Sequence, residues 1–134
     1  MTTRTDLFRC LGERIGASPG RTIVAIDGVD GAGKTTFSDE FAPILAEKGR
    51  PVIRASVDGF HNNRALRYRR GKSCPEGFFL DSYNYADLNR FLLDPFREGS
   101  EIVHPARFDH VTDTEISTEL RVPPAAILLI DGIF

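Results

Sequence analysis

Residues 22–35 read Thr22-Ile23-Val24-Ala25-Ile26-Asp27-Gly28-Val29-Asp30-Gly31-Ala32-Gly33-Lys34-Thr35. The first five are β-branched or apolar, the pattern of a central parallel strand buried on both faces. From Gly28 the chain satisfies G-x-x-x-x-G-K-[ST] in full. Glycines there let successive backbone N–H groups turn inward and ring a phosphate without side-chain obstruction. Lys34 can reach β- and γ-phosphates, Thr35 can bind Mg²⁺, and a helix starting at that point adds its positive end. By average residue usage a chance match in a chain of this length is on the order of one in a few hundred. The strand before the motif and the helix after it are the context it requires, so a merely structural glycine turn is the weaker reading. Gly28, Asp30, Gly31, Ala32, Gly33, Lys34, Thr35 and Thr36 are the candidate residues for ATP. A dinucleotide loop is excluded, since Gly31-Ala32-Gly33 is followed by Lys34-Thr35-Thr36 with no third glycine.

Working outward, Leu7, Leu11 and Ile15 predict an amphipathic helix from Asp6 to about Gly16, broken by Ser18-Pro19-Gly20. Phe37, Phe41, Ile44 and Leu45 predict a helix from Lys34 to about Lys48, kinked at Pro43 and stopped by Gly49 and Pro51. Val52 to Val57 reads as a second strand and Tyr83 to about Phe91 as another helix. A strand from Glu101 to Phe108 is weakened by Pro105. Ala125-Ala126-Ile127-Leu128-Leu129-Ile130-Asp131 is a continuous apolar run ending in an acid. Alternating strands and helices predict an α/β fold with a mainly parallel central sheet between helical layers, in one domain spanning 1–134.

Asp131 closes an apolar strand where a phosphate-loop protein needs an acid for Mg²⁺ or its water shell; a strand-end turn is the plainer alternative. Asp58 ends the second strand in Ser56-Val57-Asp58-Gly59-Phe60, where a carboxylate can take the proton of an attacking hydroxyl, or simply form a turn. Between His61 and Lys72 the chain carries Arg64, Arg67, Arg69, Arg70 and Lys72 around Tyr68. Such a segment can close over phosphates or remain a solvated basic loop. Tyr83, Asn84 and Tyr85 open a helix and can pack or recognise hydroxyls, and His110 can line an acceptor pocket or be structural.

Composition narrows the setting. The 134 residues are 41% hydrophobic and 27% charged with a formal net charge of -2, enough for a core and too little net charge to draw nucleic acid or an anionic membrane. Cys10 and Cys74 form no metal-ligand spacing and no disulfide framework, which suits a reducing cytosol. The polar start lacks a signal-peptide pattern, and no apolar run approaches a membrane span, so a cytoplasmic protein is expected.

Three pieces, the loop Gly28–Thr35, Asp58-Gly59-Phe60 and Ile130-Asp131-Gly132-Ile133, make the chain from about Ile23 onward resemble the P-loop kinases that include uridine kinase, pantothenate kinase and phosphoribulokinase. The resemblance implies the P-loop NTPase three-layer fold, with ATP and Mg²⁺ served by Lys34 and Thr35 and the metal supported by Asp131. It implies that Asp58 is the catalytic base, working with Lys34. It implies an acceptor site between Phe60 and His110, with Phe60, His61, Arg64, Tyr83, Asn84 and His110 as its candidates. The chain is most similar to uridine kinases, although Asn84 stands where their acid is expected; Asp81-Ser82-Tyr83 and Phe108-Asp109-His110 are also similar to pantothenate kinase. Family members continue past the Asp131 strand into an arginine-bearing lid and an adenine-holding segment, so a core lacking its C-terminal part is expected.

Two other readings accompany that of a kinase acting on a small hydroxylic molecule. One is an NTP-hydrolysing switch or motor, against which stands the lack of Asn-Lys-x-Asp and Leu-Ser-Gly-Gly-Gln sequences. The other is a nucleotide-binding fragment with no turnover of its own. Acceptor identity, base preference and homo-oligomer formation are left open.

Overall fold

The computed structural model describes residues 3–29 and 31–134, with Phe79 through its backbone only. In chain order the elements begin α1 (Arg4–Gly16), β1 (Thr22–Asp27), α2 (Lys34–Glu47) and β2 (Val52–Ser56), followed by a 3₁₀ turn over Val57–Phe60. Then come α3 (Arg64–Arg67), α4 (Pro75–Asp81), α5 (Tyr85–Leu88), a π turn over Asn89–Leu93 and α6 (Asp94–Glu98). Four two-residue strands follow, β3 (Ile102–Val103), β4 (Phe108–Asp109), β5 (Thr114–Glu115) and β6 (Leu120–Arg121), and then β7 (Ile127–Gly132). The chain divides into two compact units, Met1–Arg54 with Val122–Phe134, and Ala55–Arg121.

The first unit is α/β, with sheet order β1-β7-β2. β1 and β7 run parallel, in register from Thr22 opposite Ile127 to Asp27 opposite Gly132. The expected central strand is thus not β1. β7 holds the middle, and all its residues are buried, whereas β1 leaves Ala25 and Asp27 exposed. A strand hydrogen-bonded on both sides must satisfy its apolar side chains against other layers, and Ile127-Leu128-Leu129-Ile130 does so better than the Thr22–Asp27 run.

α1 begins with a capping box in which Thr3 Oγ1 accepts from the Asp6 N–H at 3.1 Å and Asp6 returns the bond to the Thr3 N–H at 3.3 Å. Its buried face is turned from the expected one. Phe8 and Gly12 are buried with Leu11 and Ile15 partly so, while Leu7 is 45% exposed. The close approach of α2 at Gly12 decides this, because a Cβ there would lie 3.2 Å from Ile44 Cγ2. α2 runs Lys34–Glu47 with Pro43 inside it. The rings of Phe8, Phe37 and Phe41 meet at centroid distances of 5.0–5.6 Å, joining α1 and α2 over Leu45, Ile127 and Leu129.

The opposite end of this sheet is drawn together by Arg50. Its guanidinium donates to the carbonyls of Gly16 (3.1 Å), Ser18 (2.6 Å), Gly20 (2.5 Å) and Ala125 (2.7 Å) and to Thr22 Oγ1 (3.3 Å). Turns that leave their carbonyls without a ladder partner are thereby satisfied by one cation.

In the second unit the helical stretch from Tyr85 reaches Glu98 rather than Phe91, burying Leu88, Leu92 and Phe96. Pro95 has no N–H to return to the Phe91 carbonyl, and the π turn lies immediately before it. The freed Phe91 carbonyl accepts from the His104 N–H at 2.9 Å. The expected strand from Glu101 to Phe108 is split into β3 and β4, with Pro105 between them. β3 pairs with β6 and β4 with β5, both antiparallel. Among the described residues no helix is long and apolar enough to cross a membrane.

Phe41 is 1% exposed at the centre of the aromatic group. Phe41→Ala is expected to cost about 3–5 kcal/mol of stability, against less than about 0.5 kcal/mol for Leu7→Ala, measured by urea unfolding. Equal losses would contradict this packing.

Candidate functional site

Each unit carries one half of the residues singled out by the sequence. In the first, the chain leaves β1 level with the end of β7, where the Gly28 N–H donates to the Gly132 carbonyl at 3.3 Å. Gly31 and Gly33 have φ of 80° and 88°, left-handed values that a side chain at either position would strain. Gly33 is the N-cap of α2, and among the described residues no side-chain hydrogen bond caps that positive end of the helix. Lys34 Nζ donates to the carbonyls of Gly28 (2.7 Å) and Val29 (2.9 Å), folded over its own loop. Thr35 and Thr36 are exposed on the first turn of α2. A recess of about 380 Å³ is lined by Ala25, Asp27, Ala32, Gly33, Lys34 and Phe37, among others. Asp30 lies outside the described residues.

Asp131 sits one register step before the end of β7, opposite Ile26, and is 7% exposed. Its Oδ2 is 3.9 Å from Arg54 Nη2, while Arg54 Nη1 donates to Asp39 at 2.8 Å. The sequence did not single out Arg54, because its charge is unremarkable in a strand until β2 is laid beside β7. A threonine hydroxyl and a carboxylate are hard oxygen donors, the kind that hold Mg²⁺ together with water.

In the second unit Asp58 is the second residue of the 3₁₀ turn, its N–H received by Ser56 Oγ at 3.2 Å. Gly59 follows because nothing larger fits: a Cβ there would meet Ala106 Cβ at 2.8 Å and the Pro105 carbonyl at 3.0 Å. The Asp58 carboxylate is 66% exposed, with Oδ1 3.5 Å from His61 Nε2 and 3.5 Å from the Tyr83 hydroxyl. His61 and Tyr83 are brought together by an antiparallel bridge, and the His61 ring stacks on His110 at 4.3 Å. The His61 hydrogen bond, the nearby charges of His61 and His110 and the Tyr83 hydroxyl hold the Asp58 carboxyl below its ordinary pKa against the opposing effect of burial. Asp58, His61, Tyr83 and His110 therefore form one cluster.

The remaining acceptor candidates have other settings. Phe60 is 1% exposed, and its carbonyl accepts from the Asn84 N–H at 2.6 Å. Asn84 Oδ1 caps α5 by accepting from the Asp87 N–H at 3.0 Å. Arg64 is exposed at the start of α3, its backbone N–H held by Asp113 at 2.6 Å. A polar recess of about 260 Å³ lies among His61, Asn62, Asn84, Asp87, Arg107 and Glu115, with neighbouring residues completing its wall. Asn62, Asp87, Arg107 and Glu115 carry no motif, and only the folding of three separate segments reveals them.

The basic segment is largely exposed, yet three of its arginines face carboxylates. Arg69 donates to Asp81 Oδ1 at 2.7 Å and Arg70 Nε lies 3.1 Å from Asp81 Oδ2, while Arg67 approaches Asp113 at 3.8 Å. Asp81 is 3% exposed, and the Arg69 hydrogen bond, followed by the charges of both arginines, lowers its pKa against the burial that opposes ionisation. A carboxyl whose folded pKa is depressed stabilises above its unfolded pKa and loses that contribution as pH falls through the folded value. Asp81→Asn is thus expected to lower the melting midpoint at neutral pH, with the gap to the parent closing below about pH 4. Equal midpoints at neutral pH would contradict this role.

No family model matches the chain. The curated uridine kinase of Leuconostoc citreum (strain KM20) is 26% identical over 116 residues, a match covering 83% of this chain and 52% of that protein. The chain thus spans about half the length of this relative. A solved structure from Bacillus stearothermophilus, described as a possible uridine kinase, superposes with a TM-score of 0.82 at 25% identity, covering 96% of this chain and 71% of the other. A second, from Silicibacter sp. TM1040 and provisionally described as a fructose transport system kinase, has a TM-score of 0.69 at 28% identity, covering 94% and 63%. These likenesses support a kinase-type function. The chain has the α/β fold of the P-loop kinases, and within that group it is similar to proteins described as uridine kinases.

Proposed function

We propose that this chain is the core of an ATP-dependent phosphotransferase that moves a γ-phosphate to a hydroxyl of a small molecule, foremost a nucleoside such as uridine. The observation that carries the reading is Asp58, an exposed carboxylate two residues past β2 with His61 Nε2 and the Tyr83 hydroxyl each 3.5 Å from its Oδ1, in a chain with a complete phosphate loop.

ATP binds as the phosphoryl donor on Gly28–Thr35, where the backbone N–H groups and Lys34 Nζ meet phosphate oxygens. The Lys34 bonds to Gly28 and Val29 are neutral-acceptor bonds that an anionic phosphate can replace favourably. Thr35 and Asp131 would hold Mg²⁺, which would supply charge neutralisation for the phosphates. The acceptor oxygen bonds to the γ-phosphorus, its proton passes to the Asp58 carboxylate, the bond from the γ-phosphorus to the β–γ bridging oxygen breaks, and ADP leaves. Like any carboxyl whose pKa lies at or below the ordinary carboxylate value, Asp58 is ionised at neutral pH, so the proton has a site to enter.

The polar recess beside His61 suits a molecule with several hydroxyls. Asn84 spends its carbonyl oxygen on capping α5, so it meets an acceptor through its NH₂ group. Uridine is supported by the names of the relatives rather than by a pocket contact, which makes an acceptor screen the decisive measurement. ATP consumption with Mg²⁺ is expected to rise with uridine or cytidine above its basal rate. Stimulation by pantothenate alone would move the acceptor class, and basal hydrolysis unaffected by any alcohol would favour an NTP-hydrolysing protein.

Lys34→Ala is expected to abolish ATP binding or transfer, read by calorimetric titration and turnover. Unchanged values for both would remove the loop from the reaction. Asp58→Asn is expected to lower kcat by about 10²–10⁴ while ATP affinity stays near that of the parent, and full turnover in this variant would rule out the base.

A further inference from the structure

His61 stands among the acceptor-site candidates, yet its surroundings assign it a narrower task. Its ring is stacked on His110 (4.3 Å between centroids, 25° between planes) and packed against Tyr83 (4.8 Å, 54°). The side chain is only 12% exposed, and these two rings fix its plane so that Nε2 lies 3.5 Å from Asp58 Oδ1. At the other edge Nδ1 is buried with no hydrogen-bond partner among the described residues. A neutral imidazole has one N–H to place. On Nδ1 that donor would be buried facing nothing, whereas on Nε2 it faces a carboxylate. The ionisable groups around the ring are Asp58, Tyr83 and His110, with Arg107, Asp87 and Glu115 lining the adjoining recess.

We propose that His61, as its Nε2–H tautomer, is a positioning residue that ties Asp58 Oδ1 and leaves Oδ2 to take the acceptor's proton. The Tyr83 hydroxyl reinforces the arrangement by donating to the same oxygen at 3.5 Å. The inference rests on the reading of Asp58 as base. His61 itself neither gives nor accepts a proton during transfer, so its loss belongs in kcat and not in acceptor affinity.

The first test is independent of turnover. A ¹H–¹⁵N imidazole spectrum of the full chain at neutral pH, with His61 assigned by His61→Gln, is expected to show the Nε2–H tautomer and to change in Asp58→Asn. An Nδ1–H tautomer, a doubly protonated ring or a resonance indifferent to Asp58→Asn overturns the proposal. The second compares His61→Phe, which keeps the stacked ring and loses the donor, with His61→Gln, which keeps an N–H near the Nε2 position. With ATP and uridine, His61→Phe is expected to lower kcat roughly tenfold to a hundredfold, the scale of one charge-assisted hydrogen bond. Its acceptor KM is expected to stay within about twofold of the parent, with His61→Gln recovering most of kcat. A raised KM at unchanged kcat would make His61 a substrate contact and overturn the proposal. If no alcohol stimulates the parent chain, the kinase reading fails, while the spectrum still decides whether His61 holds Asp58.

Discussion

The parallel register between β1 and β7 is the constraint on which the nucleotide-binding unit depends. Because Asp27 stands opposite Gly132, the loop leaves β1 at the level where Asp131 follows the apolar side chains of β7. The Gly28 N–H closes onto the Gly132 carbonyl at 3.3 Å, so the loop starts from a fixed point. A slip of one residue would exchange the two faces of β7, turning Asp131 together with Ile127 and Leu129 away from the α1–α2 cluster and bringing Leu128 and Ile130 in their place. Phosphate-loop geometry is therefore a consequence of strand pairing as much as of glycine content.

Arg50 secures that register from the far end. It gathers carbonyls from the turn after α1, from the start of β1 and from the residue two before β7. A bond from a charged donor to a backbone acceptor contributes more than a neutral one, and a single guanidinium can serve several acceptors in its plane. Ala125, with φ of 60°, is held in a conformation unusual for a residue with a Cβ, and its carbonyl accepts from Arg50 Nε. Local strain is offset here by the same interaction that aligns the strands.

In the second unit two backbone necessities do comparable work. Pro95 deprives the Phe91 carbonyl of its helical partner, and the His104 N–H takes that place, joining the helix to the segment before Pro105. Gly59 admits Ala106 and Pro105 at van der Waals range, and the Arg107 N–H then donates to the Gly59 carbonyl at 2.8 Å. The turn carrying Asp58 is thus pressed against the strand that brings Arg107 to the recess. His61 and Tyr83 complete the surroundings of the carboxylate through their bridge, though they are far apart in sequence.

Periodicity and one motif made the strand, loop and helix from Thr22 onward legible, because these follow from local backbone demands: apolar β-branched residues, glycines at positive φ and an apolar face at helical spacing. The same logic located the β7 run and the turn at Asp58. Which strand lies in the centre was not local information, since it depends on which one finds hydrogen-bond partners on both sides. The basic segment shows the limit most clearly. Its arginines looked available to phosphates until the fold brought Asp81 and Asp113 against them, for charge is neutralised by neighbours in space. The strand from Glu101 failed for a related reason, as Pro105 removes a donor and Thr118 supplies side-chain partners to Ala106 instead. Sequence alone thus determined the glycine-rich loop and its setting between β1 and α2, which one contiguous stretch encodes. Tertiary structure alone decided the company of Asp58, because His61, Tyr83 and His110 converge from separate segments only when their backbones pair and their rings pack.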